Sequence, residues 1–478
     1  MAFERVKPEE VGVESGAVRA LLREIQKEDL NLHGIILMRH GKVFAEGYVD
    51  PYRGDLTHML FSMTKPFMSA AIALCVQDGL LSVEDRLVDI FADKLTNTPC
   101  ENMQKMRVKH VLTMSTGHTK QPSGMLEEGD DWVKAFMESY VQKEPGTQFL
   151  YNTCGSYMLS AIVSKVTGKP SIEFLRERLF EPMGFAPFWS EECPMGNSTG
   201  GYGLNVRLED LAKFCTLFLQ NGVWEGKQLI AKEWIDELSQ YKSCSPFGGT
   251  DWESGYSYHF WLTRHEGMFR GDGAMGQHGV IMPKQDMVIA MNSCTYRVEK
   301  TLELFWDHLL PALHDEPLEP SEEADLLQKE LDALHFEPVA GEKTSAYLPN
   351  GGEYELSENP TGLKTLGFTF GEEASVHMTF GEHDCVLPMG YGCFKEGDTG
   401  VLLKECNSWT TVFYEHCAVS YAWADEKTLK VKFIWNTTPF WHDMTVMFDE
   451  YGCIVDWESP YGAMGGACRK FKAFGRKK

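Results

Sequence analysis

The order of apolar and polar positions divides the chain into stretches of different character. Residues 34–49, GIILMRHGKVFAEGYV, are two apolar runs around a polar turn at His40-Gly41-Lys42, which predicts a β-hairpin. From Ser62 to Gly79, SMTKPFMSAAIALCVQDG, apolar residues recur without alternation and Ala, Leu and Met dominate. That pattern predicts a buried helix closing near Gly79, with Pro66 in its first turn, where a missing N–H costs little. Residues 84–240 carry further helical segments, such as VKHVLTMSTG, SYMLSAIVSKVTG and RLEDLAKFCTLFLQNG, between loops containing Gly and Pro. Strand character returns at 258–264 and 276–292, where Pro283-Lys284-Gln285-Asp286 reads as the turn between GVIM and MVIAMN. Strands on both sides of a helical block imply one sheet interrupted by a helical insertion.

The pattern changes twice more. Residues 315–340 hold three Pro and many acids around a short helical repeat, and read as a linker carrying a helix. Residues 341–478 form short runs rich in aromatics, Gly and Thr, as in TLKVKFIWNT, which predicts a separate antiparallel β unit. The aromatics of 407–442 (Trp409, Phe413, Tyr414, Tyr421, Trp423, Phe433, Trp435, Phe440, Trp441) read as its core. The expected organisation is an α/β (α+β) domain over 1–315 with its insertion at about 84–240, a linker over 316–340, and an all-β domain over 341–478.

Charge narrows the function classes. The 478 residues include 45 Lys+Arg and 69 Asp+Glu, a net −24 that opposes nucleic acid and anionic membranes. No apolar run approaches the roughly 20 residues of a spanning helix. The N-terminus, MAFERVKPEEVGVESG, has charges of both signs and no apolar core, so a cytoplasmic protein is expected. The 13 Cys are scattered without a C-x-x-C pair, which reads as reduced thiols. No His or Cys cluster has metal-ligand spacing, so neither metal nor cofactor is expected. The expected partner is a small molecule, with no nucleic acid and no membrane; the oligomeric state stays open.

Candidate chemistry begins at Ser62-Met63-Thr64-Lys65. Positions i and i+3 share a helix face, so hydroxyl and amine can meet, and burial or the helix dipole lowers a lysine pKa toward that of a useful base. The same pattern recurs at Ser239 and Lys242, and a helix N-cap with a solvated Lys would also explain Ser62. Tyr151-Asn152-Thr153 opens a helix, where a phenol could relay a proton and Asn152 could hold a carbonyl; a buried Tyr with a capping Asn fits equally. Gly271-Asp272-Gly273-Ala274-Met275-Gly276-Gln277-His278 leads into a strand, as a Gly-rich loop or as a place where backbone approaches a ligand.

Taken together and in this order, the three motifs resemble the class C β-lactamase and penicillin-binding-protein-like serine hydrolases, which carry Ser-x-x-Lys, Tyr-x-Asn and Lys-Thr-Gly or His-x-Gly boxes. LMRHGKVFAEGY, VKHVLTMSTGH, STGGYGLNVRLEDLAKF and GAMGQHGVIMPKQDMVIA share the resemblance, which runs over residues 8–312. It implies Ser62 as the acylated nucleophile, Lys65 as the group that deprotonates it, and Tyr151 as partner base or acid. The amides of Ser62 and Gln277 would form the oxyanion hole, and Asn152, Thr153, Gly276 and His278 would line the substrate. Two departures matter. Thr153 stands where the family has Asn, and the third box, read as Ala274-Met275-Gly276, lacks a cation. A lost charge-assisted bond costs an anionic ligand on the order of 1.5–3 kcal/mol, unless His278, Arg264 or Arg270 replaces it. The sequence therefore points to a hydrolase of an ester or amide bond in a small uncharged molecule, with β-lactamase activity weak or absent. The alternatives are a D-amino-acid or cell-wall-fragment peptidase and a non-catalytic binding protein on a hydrolase fold.

Overall fold

The computed structural model describes residues 3–122, 131–240, 242–348, 350–406, 411–459 and 470–478; the side chains of 400–406 and 411–414 are outside that description. The chain forms two compact units.

The first unit comprises Met1–Gly47 and Met59–Ala333. Strands β1 (Leu32–Arg39) and β2 (Lys42–Tyr48) meet at His40 and Gly41, both with positive φ (52° and 72°). That is the backbone of a two-residue turn matched to strand twist. After the helical insertion the sheet resumes with β3 (Trp261–Leu262), β4 (Phe269–Gly273), β5 (Gln277–Met282) and β6 (Met287–Ser293), in the order β2-β1-β6-β5-β4-β3. All eight residues of β1 are buried, because helices cover both faces of the sheet. One face meets α2 (Lys65–Gln77) and α4 (Leu208–Leu219): a Cβ on Gly279 would approach Cys215 and Met63. The other meets α6 (Val298–His308), where the rings of His278 and Phe305 lie 6.1 Å apart.

Within the insertion, α3 (Thr153–Thr167) and α5 (Lys232–Leu238) matter below. Helix α7 (Glu322–Asp332) packs on α1 (Ser15–Lys27), where Arg19 pairs with Glu330 at 2.8 Å and with Glu323. The predicted strand at 258–264 shortens to Trp261–Leu262. The glycine-rich stretch, which read either as a loop or as backbone close to a ligand, is strand β4 and its turn into β5.

The second unit joins Tyr48–His58 to Leu334–Lys478. Residues 48–58 fall within the stretch that the sequence pattern assigned to the first domain. Their place is marked by Tyr52, whose hydroxyl donates to the Thr438 carbonyl at 3.0 Å, and by Asn436, which donates to the Pro51 carbonyl at 3.0 Å. Ten antiparallel strands form its sheet, and alternation such as that of Trp441–Phe448 turns every second side chain inward. Tyr421, Trp423, Phe433, Trp435 and Phe440 are buried core and Trp441 is half-buried; Trp409 and the side chains of Phe413 and Tyr414 lie outside the description. No described helix is long and apolar enough to cross a membrane.

Candidate active site

The nucleophile turn is built by backbone constraint. Phe61 adopts φ 47°, a left-handed conformation uncommon for a bulky residue, directly before Ser62. A 3-10 turn over Phe61–Thr64 then runs into α2, whose N-terminal Lys65 amide bonds the Ser62 carbonyl. The Thr64 hydroxyl donates to the Phe61 carbonyl at 2.7 Å and accepts from the Leu204 amide at 3.2 Å, locking the turn to a neighbouring strand. Ser62 is left half-buried at the positive end of α2.

Lys65 is 1% exposed, and its Nζ lies 3.0 Å from Ser62 Oγ, 2.8 Å from the Gly201 carbonyl and 3.3 Å from Thr153 Oγ1. Among the described residues it has no carboxylate partner, so desolvation dominates and its pKa falls to about 7. An amine so poised is partly neutral at physiological pH and can take a proton from Ser62. Tyr151 completes the group: its phenol is close enough to Ser62 for the two side chains to interact, and Lys65 Nζ lies 4.7 Å from its ring centroid. Burial pushes the Tyr151 phenol above its usual range, against the smaller opposing effect of Ser62, and so keeps it protonated.

Thr153 and Asn152 part company. Thr153 faces Lys65, whereas Asn152 is fully buried, its Oδ1 accepting from the Gly155 amide as the N-cap of α3 and its Nδ2 donating to Thr116 Oγ1 at 3.3 Å. The side chain of Asn152 is committed to the fold, which corrects its assignment to the substrate.

The third box needs a larger correction. Gly271 and Gly273, not Ala274–Gly276, press against the nucleophile turn: a Cβ on Gly271 would collide with Met63 and one on Gly273 with the Leu60 carbonyl. Ala274–Gly276 form the turn between β4 and β5, and Gly276 faces Ser293 and Thr295. Gln277 pairs with Gly273 on the inner strand and is fully buried, its Nε2 bonding the carbonyls of Ala274 and Ser293. His278 is also fully buried, with Nδ1 3.1 Å from Asp272 Oδ1 on the α6 side of the sheet.

None of the three replacement cations is free. Arg270, fully buried, pairs with Asp251 at 2.5 Å and Asp272 at 2.9 Å, and Arg264 pairs with Asp251 at 2.9 Å and Glu299 at 2.7 Å. Outside the site, His118 bonds Thr116 and Ser139, and Asp210 pairs with Arg207 and Lys213; both are structural. Sequence reasoning missed Gly201 and included Gly273 in the glycine-rich box without singling it out. The only trace was small residues in STGGYG and RGDGA, which mark close backbone approach without saying to what.

The chain is 21% identical over 308 residues to the 6-aminohexanoate-dimer hydrolase of Paenarthrobacter ureafaciens, covering 59% of this chain and 78% of that one. It is 26% identical over 167 residues to the lovastatin esterase of Penicillium rubens, covering 30% of this chain and 42% of the esterase. The octameric penicillin-binding protein homologue from Pyrococcus abyssi shares the fold over 96% of this chain and 99% of its own, with a TM-score of 0.50 at 15% identity. The sequence profile of the family described as Beta-lactamase matches residues 19–299, more than half of the chain and all of the site above. On that match this chain belongs to the Beta-lactamase family of serine hydrolases.

Proposed function

We propose that the protein hydrolyses an ester or amide bond of a small, uncharged molecule through an acyl-enzyme on Ser62. What supports this above all is Lys65: buried, without a carboxylate partner and 3.0 Å from the half-buried Ser62 hydroxyl. Ser62 Oγ attacks the carbonyl carbon as Lys65 Nζ takes its proton. The oxyanion is held by the Ser62 amide and, in place of Gln277, by an amide of the β4 edge at Gly273–Ala274. This part of β4 extends beyond Arg270, the last residue with a partner on β3.

Tyr151 passes a proton from Lys65 to the leaving oxygen or nitrogen as the carbonyl re-forms, so the C–O or C–N bond breaks with a neutral leaving group. Water then attacks the acyl carbon, gives its proton to the same relay and releases the acid, restoring Ser62. The absence of a free cation among His278, Arg264 and Arg270 supports an uncharged substrate over a β-lactam carboxylate. Two relatives are named as a 6-aminohexanoate-dimer hydrolase and a lovastatin esterase, which supports hydrolysis of a small molecule but says nothing for the absence of charge.

The test is mass spectrometry after treatment with a fluorophosphonate, beside turnover of p-nitrophenyl esters and D-Ala dipeptides. One adduct on Ser62, ester turnover and slow nitrocefin hydrolysis are expected. An unlabelled Ser62, or turnover that survives Ser62→Ala, overturns the reading.

A further inference from the structure

Tyr151 is one member of an aromatic cluster that the chemistry above does not use. Its ring stacks on Trp261 at 5.7 Å and 11°, and Trp261 meets Trp252 edge-on at 6.4 Å and 75°. Phe149 and Tyr256 close the buried side. Tyr151 and Trp252 are only partly buried, and Phe247, 47% exposed, lies 6.3 Å from the Trp261 ring.

Trp252 is held in a defined orientation. Its Nε1 donates to Asp272 Oδ2 at 2.9 Å, and the Arg270 guanidinium sits 5.8 Å from its ring. Asp272 is fixed in turn by Arg270 and His278 and belongs to β4, the strand whose glycines touch the nucleophile turn. The wall is therefore anchored to the third box and to the residue that protonates the leaving group. A cation at the third box would grip a carboxylate on that part of the substrate. This chain instead presents an indole whose polar end is already bonded and whose ring is free to pack.

We propose that Trp252, with Trp261 and Phe247, is a specificity-determining wall for the leaving group, selecting an uncharged aryl-sized alcohol or amine. The inference rests on Ser62 as nucleophile and Tyr151 as the proton donor to the leaving atom. A flat apolar leaving group would pack on Trp252 and Phe247, where aromatic surface binds through area and ring geometry. An anionic one would meet the Asp272 side of the indole, where Arg270 and His278 are already paired with carboxylates.

The experiment keeps the acyl group constant and varies the alcohol: phenyl acetate, 1-naphthyl acetate and 2,2,2-trifluoroethyl acetate, with trifluoroethyl phenylacetate as the acyl control. In Trp252→Ala, kcat/KM for the two aryl esters falls about tenfold or more while the trifluoroethyl ester loses less than about threefold. Trp252→Phe restores most of the loss, and Phe247→Ala, an exposed change that spares the cluster, shifts the ratio the same way by less.

Calorimetric binding of phenyl acetate to Ser62→Ala, with and without Trp252→Ala, reads the wall without turnover. A Kd weakened several-fold supports the proposal even where catalysis fails. An equal loss on all esters, a loss confined to the phenylacetyl substrate, or an unchanged Kd overturns it. Fluorophosphonate labelling of Ser62 separately decides the reading on which it rests.

Discussion

Two stretches of this chain carry the same four-residue pattern, Ser62-x-x-Lys65 and Ser239-x-x-Lys242, and they differ in almost every physical respect. Ser62 stands at the positive end of α2, and its lysine is sealed in the core. Ser239 follows the last residue of α5, at the negative end, with its hydroxyl donated to the Asp236 carbonyl at 3.0 Å. Lys242, 22% exposed, pairs with Glu237 and leans over the Tyr258 ring at 5.6 Å. Spacing alone brings a hydroxyl and an amine to one side of a turn. In the proposed mechanism, burial with no carboxylate partner among the described residues is what suits one amine to be a base, whereas the other is a partly exposed member of an ion pair.

The largest effect separates the two serines. Ser62→Ala removes the atom proposed to form the acyl bond, so kcat/KM should fall by about 10⁴-fold or more and the fluorophosphonate adduct should vanish. Ser239→Ala, measured beside it, should leave both unchanged. A similar loss from both would break the comparison.

The lysines sharpen it, because Lys65 affects rate and stability in opposite directions. Lys65→Met should lower kcat/KM by about 10³-fold, within the usual range for general-base removal. In the wild type the rate should rise with pH through about 7, as the amine loses its proton. For stability, the folded state releases the Lys65 proton near 7 and the unfolded chain near 10.5. Between those values the unfolded state binds more protons, so this group makes stability rise with pH, and its cost is greatest below pH 7. Lys65→Met removes that slope. Urea unfolding at pH 6 should find the variant more stable by on the order of 2 kcal/mol, after the lost bonds to Ser62, Thr153 and Gly201 are counted. A variant less stable than wild type would mean that the buried amine is well solvated by its partners.

Tyr151→Phe comes next, at about 10²-fold in kcat/KM, since Lys65 still accepts the serine proton but the leaving atom loses its donor. The loss should be larger for amides than for p-nitrophenyl esters, whose leaving group departs without a proton. An equal loss on both would place the Tyr151 hydroxyl outside the relay.

The same contrast explains what the sequence made legible. Ser62, Lys65 and Tyr151 stood out as motifs at helix starts, but local pattern fitted ordinary caps equally and only the family resemblance pointed to chemistry; the hairpins at His40-Gly41 and Pro283–Asp286 were legible because turn residues act locally. Asn152 looked like a ligand because an N-cap and a substrate contact call for the same side chain; only the bonds to Gly155 and Thr116 tell them apart. The third box was read as Ala274-Met275-Gly276, three residues late, because residue types alone do not say which glycine approaches the nucleophile. Gly271 and Gly273 are strand residues whose missing Cβ makes room for Met63 and Leu60, which come from some 200 residues earlier in the chain. His278, Arg264 and Arg270 looked available as cations, since nothing local shows that Asp251, Asp272 and Glu299 already hold them.

The smallest predicted effect is the most exacting test of the opening contrast. Lys242→Met removes a partly exposed ion pair and a ring contact, together worth no more than about 1 kcal/mol. Urea unfolding should move by that much or less, and more weakly still at high salt, where a surface pair is screened. Its pH–rate profile should superimpose on that of the wild type, with the limb near 7 intact, because that limb belongs to Lys65. A displaced limb in Lys242→Met would assign the titration to the surface lysine, and burial would then no longer distinguish the two motifs.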